Sequence, residues 1–224
     1  MAIQVQGNGG VVGEVDGTTF RAQRFTPRPV DHGALGAYCT GMLSGILPAA
    51  LAANSEIFQF RWSDATRFAV IRKIRIAASV TTTFFAAGVP MQLNLLKATG
   101  WSAAGSGGTR ATPAALLKRR TSMGSTLVAA NDIGIASTGA LTAGTKTLET
   151  LALSTIVAAC PITASLYGQI IAPGTVLWQA EVGDGEHPLV LAQNEGFVIT
   201  SVAVPATGTW QASVTVDWAE VTAY

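Results

Sequence analysis

The stretch Thr209-Trp210-Gln211-Ala212-Ser213-Val214-Thr215-Val216-Asp217-Trp218-Ala219 decides the fold. Trp210, Ala212, Val214, Val216 and Trp218 share one parity, and Gln211, Ser213, Thr215, Asp217 and Ala219 the other. A period of two is that of a strand with one buried face, because successive side chains point to opposite sides of a sheet. Ahead of it, Pro205-Ala206-Thr207-Gly208 reads as a turn. Residues 187–192 and 196–204 are two further strands, joined by Gln193-Asn194-Glu195-Gly196. Residues 175–182 (TVLWQAEV) form another, ended by Gly183-Asp184-Gly185.

The same period returns upstream. Phe58, Phe60 and Trp62 alternate with Ile57, Gln59 and Arg61, which puts three rings on one face. In residues 68–80 one parity holds Phe68, Val70, Ile74, Ile76, Ala78 and Val80, broken only by Arg72. Met91, Leu93 and Leu95 alternate with Gln92 and Asn94. Strands this close together leave no room for crossover helices, so the sheet is antiparallel. Short strands with turn signals every ~8–12 residues mark a sandwich or barrel. The expected fold is all-β, an antiparallel jelly-roll-like β-sandwich over residues 56–224.

Residues 1–55 are expected to form a separate region. The first part is an irregular Gly-rich arm (Gly7, Gly9, Gly10, Gly13, Gly17), extended or a tight meander. Residues 33–55 then carry no charge, a length close to the ~20 residues of a membrane span. Four glycines and Pro48 interrupt it, and no Lys/Arg cluster flanks it. A buried irregular segment, or a short helix packed on a neighbouring subunit, is the expectation. Residues 99–112 (TGWSAAGSGGTRAT) read as the clearest loop, functional or mobile. Residues 114–120 could be a helical turn, and residues 133–159 are ambiguous between strand and short helix.

Composition bounds the function. The chain has 224 residues, 49% hydrophobic and only 12% charged, about half the ~25% of an ordinary soluble domain. Fourteen Lys+Arg against 13 Asp+Glu leave a net charge of +1, without the basic excess of a dedicated nucleic-acid binder. Low charge with many Ala, Gly, Thr and Ser suggests a surface largely covered by something else. Cys39 and Cys160 lie far apart among small apolar residues, outside any zinc-type spacing; free buried thiols or one long-range disulfide both fit. The first residues carry no secretory signal, which points to a reducing cytosol.

Catalytic constellations are scarce. There is no GxSxG, HExxH or paired-carboxylate motif; Gly7-Asn8-Gly9-Gly10-Val11-Val12 misses the dinucleotide fingerprint, and Gly105-Ser106-Gly107-Gly108 lacks the P-loop lysine. Asp184, Glu186 and His187 could hold a divalent cation, but on a hairpin tip solvated charges are ordinary. No enzyme and no cofactor is expected. Arg72, Lys73 and Arg75, and Lys118, Arg119 and Arg120, form local basic clusters. Each is a solvated or ion-paired face or an electrostatic seam to an acidic protein shell, with nucleic-acid contact ranking third because the aromatics fall mainly in strand patterns.

The runs Glu186-His187-Pro188-Leu189-Val190-Leu191-Ala192, Asn194-Glu195-Gly196-Phe197-Val198-Ile199, Pro205-Ala206-Thr207-Gly208-Thr209-Trp210 and Trp218-Ala219-Glu220-Val221 resemble structural proteins of tailed-bacteriophage virions. So does Lys118-Arg119-Arg120-Thr121-Ser122-Met123. The resemblance is one of style and covers about half the chain. It implies a virion component that acts as an oligomer. The favoured member is a capsid decoration or cement protein, often a trimer, that binds the major capsid protein on the head surface and clamps neighbouring subunits. It would be made in the host bacterial cytoplasm and would contact neither nucleic acid nor membrane. The expected contacts with capsid or sister subunits are Arg21, Arg24, Arg28, Trp101, Arg110, Lys118, Arg119 and Arg120. Two other classes compete. One is a tail, head–tail connector or fibre component with a receptor- or glycan-binding role, for which Trp101 is the fitting loop aromatic. The other is a membrane-associated protein through residues 33–55.

Overall fold

A computed structural model describes residues 3–6, 12–15, 36–49, 51–85, 90–160, 168–180, 187–203, 207–222 and 224. The chain divides into two units, Met1–Asp31 and His32–Tyr224. In the first, β1 (Ile3–Gln6) and β2 (Val12–Val15) pair antiparallel, with Ile3 opposite Val15 and Gln6 opposite Val12. The arm expected to be irregular therefore contains a two-stranded ribbon.

The second unit is an all-β sandwich of two antiparallel sheets packed face to face. Sheet I contains β5 (Ser55–Trp62), β7 (Met91–Ala103), β8 (Thr109–Arg110), β10 (Ile133–Ile135), β11 (Thr145–Leu148), β12 (Ser154–Ala158) and β15 (Glu195–Ala203). Its order is β11-β7-β15-β5-β10-β8, with β12 also on β7. Sheet II contains β3 (Ala37–Leu43), β4 (Leu47–Pro48), β6 (Phe68–Val80), β9 (Leu117–Lys118), β13 (Gln169–Gln179), β14 (Leu189–Leu191) and β16 (Thr209–Val221). Its order is β13-β6-β16-β3-β9; β14 extends the β13 edge of β6, and β4 pairs with β16.

The parity of β16 is as read: Trp210, Ala212, Val214, Val216 and Trp218 all lie in the core. Phe58, Phe60 and Trp62 join them from sheet I. Phe60 stacks on Phe197 of β15 at 5.2 Å between centroids and meets Trp218 edge-on at 5.4 Å. Trp218 in turn stacks on Tyr38 of β3 at 5.8 Å. These offset and edge-on geometries suit the ring quadrupoles, and each such pair adds about 0.5–1.5 kcal/mol to the area it buries.

Two β-bulges alter the simple alternation. In β6, Lys73 faces Asp217 and Ile71 faces Trp218, so Arg72 is one residue more than β16 can match. The core side is Ala69 and Ile71 before the bulge, and Ile74, Ile76 and Ala78 after it. The apparent break at Arg72 is thus a change of parity, because the extra residue of a bulge shifts the pleat by one. In β5, Phe58 faces Ile199 and Glu56 faces Thr200, leaving Ile57 as the extra residue.

Residues 37–48 depart from the expectation of an irregular or short-helical segment outside the sandwich. Ala37–Leu43 is a strand in sheet II between β16 and β9. Its inward side is Tyr38, Thr40 and Met42; the small residues Ala37, Cys39 and Gly41 face the other way. With small residues on one parity and mixed polarity on the other, the strand period carries no hydrophobic contrast. The sandwich therefore starts before residue 56. No helix among the described residues is long and apolar enough to cross a membrane. Residues 133–159 resolve into β10, β11 and β12, and the turn expected at 114–120 is a 3-10 turn, Pro113–Ala115, followed by β9. Cys39 is half-buried and Cys160 buried, both as free thiols.

Trp218→Ala removes the ring that touches both Tyr38 and Phe60, and is expected to destabilise the fold by about 3–5 kcal/mol. Urea unfolding followed by circular dichroism measures it, and a loss under 1 kcal/mol would disprove the role given to this ring.

Candidate interaction surface

The outer face of sheet I is closed by an ionic layer. The bulge at Ile57 turns Glu56 onto this face beside Gln59, whose Nε2 donates to Glu56 Oε2 at 2.6 Å and to the Thr142 carbonyl at 2.7 Å. Lys146 from β11 pairs with Glu56 at 2.8 Å, and the two side chains are 1% and 7% exposed. The Lys146 ammonium also sits 4.4 Å from the centroid of the Trp101 ring, within cation–π reach. That ring lies on Gly196 of β15, where a Cβ would meet Trp101 carbons at 2.8 Å. Arg110 lies likewise across Gly134 and donates from Nη1 to Gln59 Oε1 at 3.1 Å. At the far end Arg61 donates to the Trp101 carbonyl at 2.7 Å and pairs with Asp132 at 3.2 Å, while the Ser63 hydroxyl donates to the same carboxylate.

Burial pushes the Lys146 ammonium below its ordinary pKa, with Glu56 opposing. Burial likewise raises Asp132, opposed first by Ser63 and then by Arg61. Such shifts also occur at active sites. Here the charged atoms neutralise one another beneath the residues 103–108 and 139–146, and Lys146 is fully enclosed. The arrangement braces the sheet.

A further buried carboxylate ties β16 to residues 126 and 127. Glu220, at the end of β16, accepts from the Thr126 hydroxyl, from Leu127 N at 3.1 Å and from Trp218 Nε1 at 3.3 Å. Desolvation raises its pKa above the ordinary 4.5, and these donors oppose the rise.

The outer face of sheet II is open. Ile71 and Ile74 both enter the core, so the bulge between them leaves Arg72 and Lys73 together on the outside, followed by Arg75. Asp217 on β16 is shared by Arg75, at 2.7 Å, and Arg119. Toward the other end of the face the side chains become small: Ala77 and Ser79 on β6, Ser213 and Thr215 on β16, Gly41 on β3. Leu43, 62% exposed, and Val176, 42% exposed, flank this strip, and Leu117 stands at the β9 edge. A further exposed apolar row, Leu151, Leu153 and Val157, runs into and along β12.

Against this geometry the expected contact residues separate. Arg21, Arg24 and Arg28 lie outside the described residues, as do Asp184 and Glu186 of the suggested cation site. His187 is described; its ring meets Tyr224 edge-on, and Nδ1 donates to the Pro188 carbonyl at 2.6 Å. Among the described residues no three His, Cys, Asp or Glu side chains are grouped for a metal. Trp101 is not a surface residue: residues 99–103 continue β7, and the ring is 0% exposed under Lys146. Arg110 is half-buried in the ionic layer. Lys118 and Arg120 are exposed, and Arg119 is tied to Asp217. Glu56, Gln59, Lys146 and Asp132 carry no motif in the sequence; Asp217 had one signal, as the lone acid on the polar parity of β16. Compared with protein-family models, curated proteins and solved structures, the chain gives no match in any of the three.

Lys146→Met leaves Glu56 buried without its cation and is expected to cost about 3–5 kcal/mol. Adding Glu56→Gln should recover most of that loss; a denaturant double-mutant cycle checks it, and strictly additive costs would disprove the coupling. For Glu220 the folded pKa is the higher one. Its stabilising contribution is therefore complete below about pH 4.5 and lost as pH rises through the folded value. Glu220→Gln removes that loss, so the variant should gain on the parent as pH rises from 4.5 in a series of urea melts. A pH-independent difference would refute the assignment.

Proposed function

We propose that this chain is a non-enzymatic virion structural protein of a tailed bacteriophage. Its role is capsid decoration or cement: it binds the major capsid protein on the head surface as an oligomer, most simply a trimer, and stabilises contacts between capsid subunits. The observation that supports this most is how the sandwich distributes its charge. Glu56, Asp64, Asp132, Glu149, Glu195, Asp217 and Glu220, the acids described from His32 on, are each engaged by a hydrogen bond or ion pair within the fold. Arg72, Lys73 and Lys118 meet no carboxylate among the described residues, and Leu43, Leu117, Leu151 and Val157 stand more than 60% exposed. Described acids that are all engaged within the fold, beside exposed apolar side chains, suit a protein completed by contact with others. The fibre or glycan-binding alternative relied on Trp101, which is buried; Tyr224, 62% exposed, is the one exposed aromatic among the described residues.

The test is co-sedimentation of the purified chain with heads of the virus that encodes it, prepared without the chain. Binding, together with a higher temperature of head disruption and a solution mass near three times 23.0 kDa, is the expected result. Heads that sediment without it would overturn the reading.

A further inference from the structure

The open face of sheet II has features that specify a partner. Arg72, Lys73, Arg75 and Arg119 gather at one end around a single carboxylate, Asp217, which two of them already share. No other acid among the described residues stands on this face, and among those residues Arg72 and Lys73 meet no carboxylate. The bulge in β6 is what makes this end dense, since regular pleating would send Arg72 and Lys73 to opposite sides. At the other end lies a shallow depression of about 240 Å³, lined by Leu43, Ala77, Ser79, Pro173, Gln211 and Ser213. Those short side chains let an incoming backbone approach the sheet closely.

Building on the head-binding reading above, we propose that this face docks an acidic protein segment of the shell. Its carboxylates sit at Arg72, Lys73 and Arg75, and an apolar side chain enters the depression beside Leu43. Charge complementarity selects the occupant. A cationic end meets carboxylates, as Asp217 already demonstrates within the chain, and the apolar end requires side chains that a nucleic acid does not have. Among the described residues the face presents no aromatic ring on which a base could stack, and its few cations fall short of the many phosphate contacts that nucleic-acid binding uses.

The experiment uses the full chain against two probes: heads prepared without it, and a labelled synthetic peptide of alternating glutamate and leucine. Three variants are compared with the parent. Lys73→Glu reverses charge on the face. Ser213→Trp fills the small-residue strip. Lys97→Glu makes the same charge change on β7 of the other sheet. The parent should bind both probes, more weakly as salt rises. Lys73→Glu and Ser213→Trp should each weaken binding about tenfold or more, and Lys97→Glu should leave it within about twofold.

Equal losses from Lys73→Glu and Lys97→Glu would reduce the effect to net charge and overturn the proposal. So would unchanged binding in both face variants. A Lys73→Glu chain that melts earlier yet binds as the parent does would assign this lysine to the stability of the fold, and would overturn it too. Parent chain that binds the peptide through this face but ignores the heads would refute the virion role while leaving the docking face in place. Head binding that is indifferent to both face variants does the reverse.

Discussion

The contact of Phe60 with Trp218 holds the two sheets at one point, and much of the molecule is arranged around it. Phe60 belongs to the middle of sheet I and Trp218 to the middle of sheet II, and each is stacked on a neighbour in its own sheet, Phe197 and Tyr38. The core combines these rings with aliphatic side chains from both sheets, among them Ile57, Ile74, Leu93, Leu95, Val214 and Val216. Both bulges follow from keeping this centre intact. A strand of the wrong phase must either expose its apolar side or insert a residue, and β5 and β6 each insert one.

What the insertions leave over is charge. Glu56 is turned onto one outer face and Arg72 onto the other. On sheet I the displaced carboxylate is covered and needs Lys146, Gln59 and the Trp101 ring around it, because an ionised group away from water is tolerated only when paired. On sheet II the displaced cations stay in solvent. Glu220 is held differently, by neutral donors alone, which suits a carboxylate whose desolvation favours the protonated form. Among the described residues Glu56, Asp132, Asp217 and Glu220 are all buried, and Arg72, Lys73 and Lys118 meet no carboxylate.

The sequence is most legible where one strand faces core on one side and solvent on the other. β16 is such a strand, and its parity, length and neighbours could be read directly. β6 shows how the same logic fails locally: Arg72 looked like one polar residue on an apolar parity, whereas it marks the point where the parity changes. In β3 the outward positions are Ala37, Cys39, Gly41 and Leu43 and the inward ones include Thr40, so there is no contrast from which to read a strand. Trp101 reads as loop because Gly100 precedes it and Gly105, Gly107 and Gly108 follow. The continuation of β7 depends on pairing with β11 and β15, a long-range fact. The ionic layer was illegible for the same reason. Glu56 and Lys146 are ninety positions apart, and neither sits in a pattern.

The placement of β15 and β16 also has a kinetic consequence. β15 is the strand that joins β5 to β7, and β16 is the strand that joins β6 to β3. These two come last in the order of the sandwich strands, yet each occupies the interior of its sheet. Until residues 195–221 have been synthesised, the four earlier strands have no template between them and present open edges. Productive collapse therefore waits for the final two long strands, one for each sheet, the situation of high contact order in which folding is slow and intermediates are sticky. A nascent chain of this protein is a candidate for chaperone retention until its last two long strands emerge, and truncation anywhere before them removes the middle of both sheets at once.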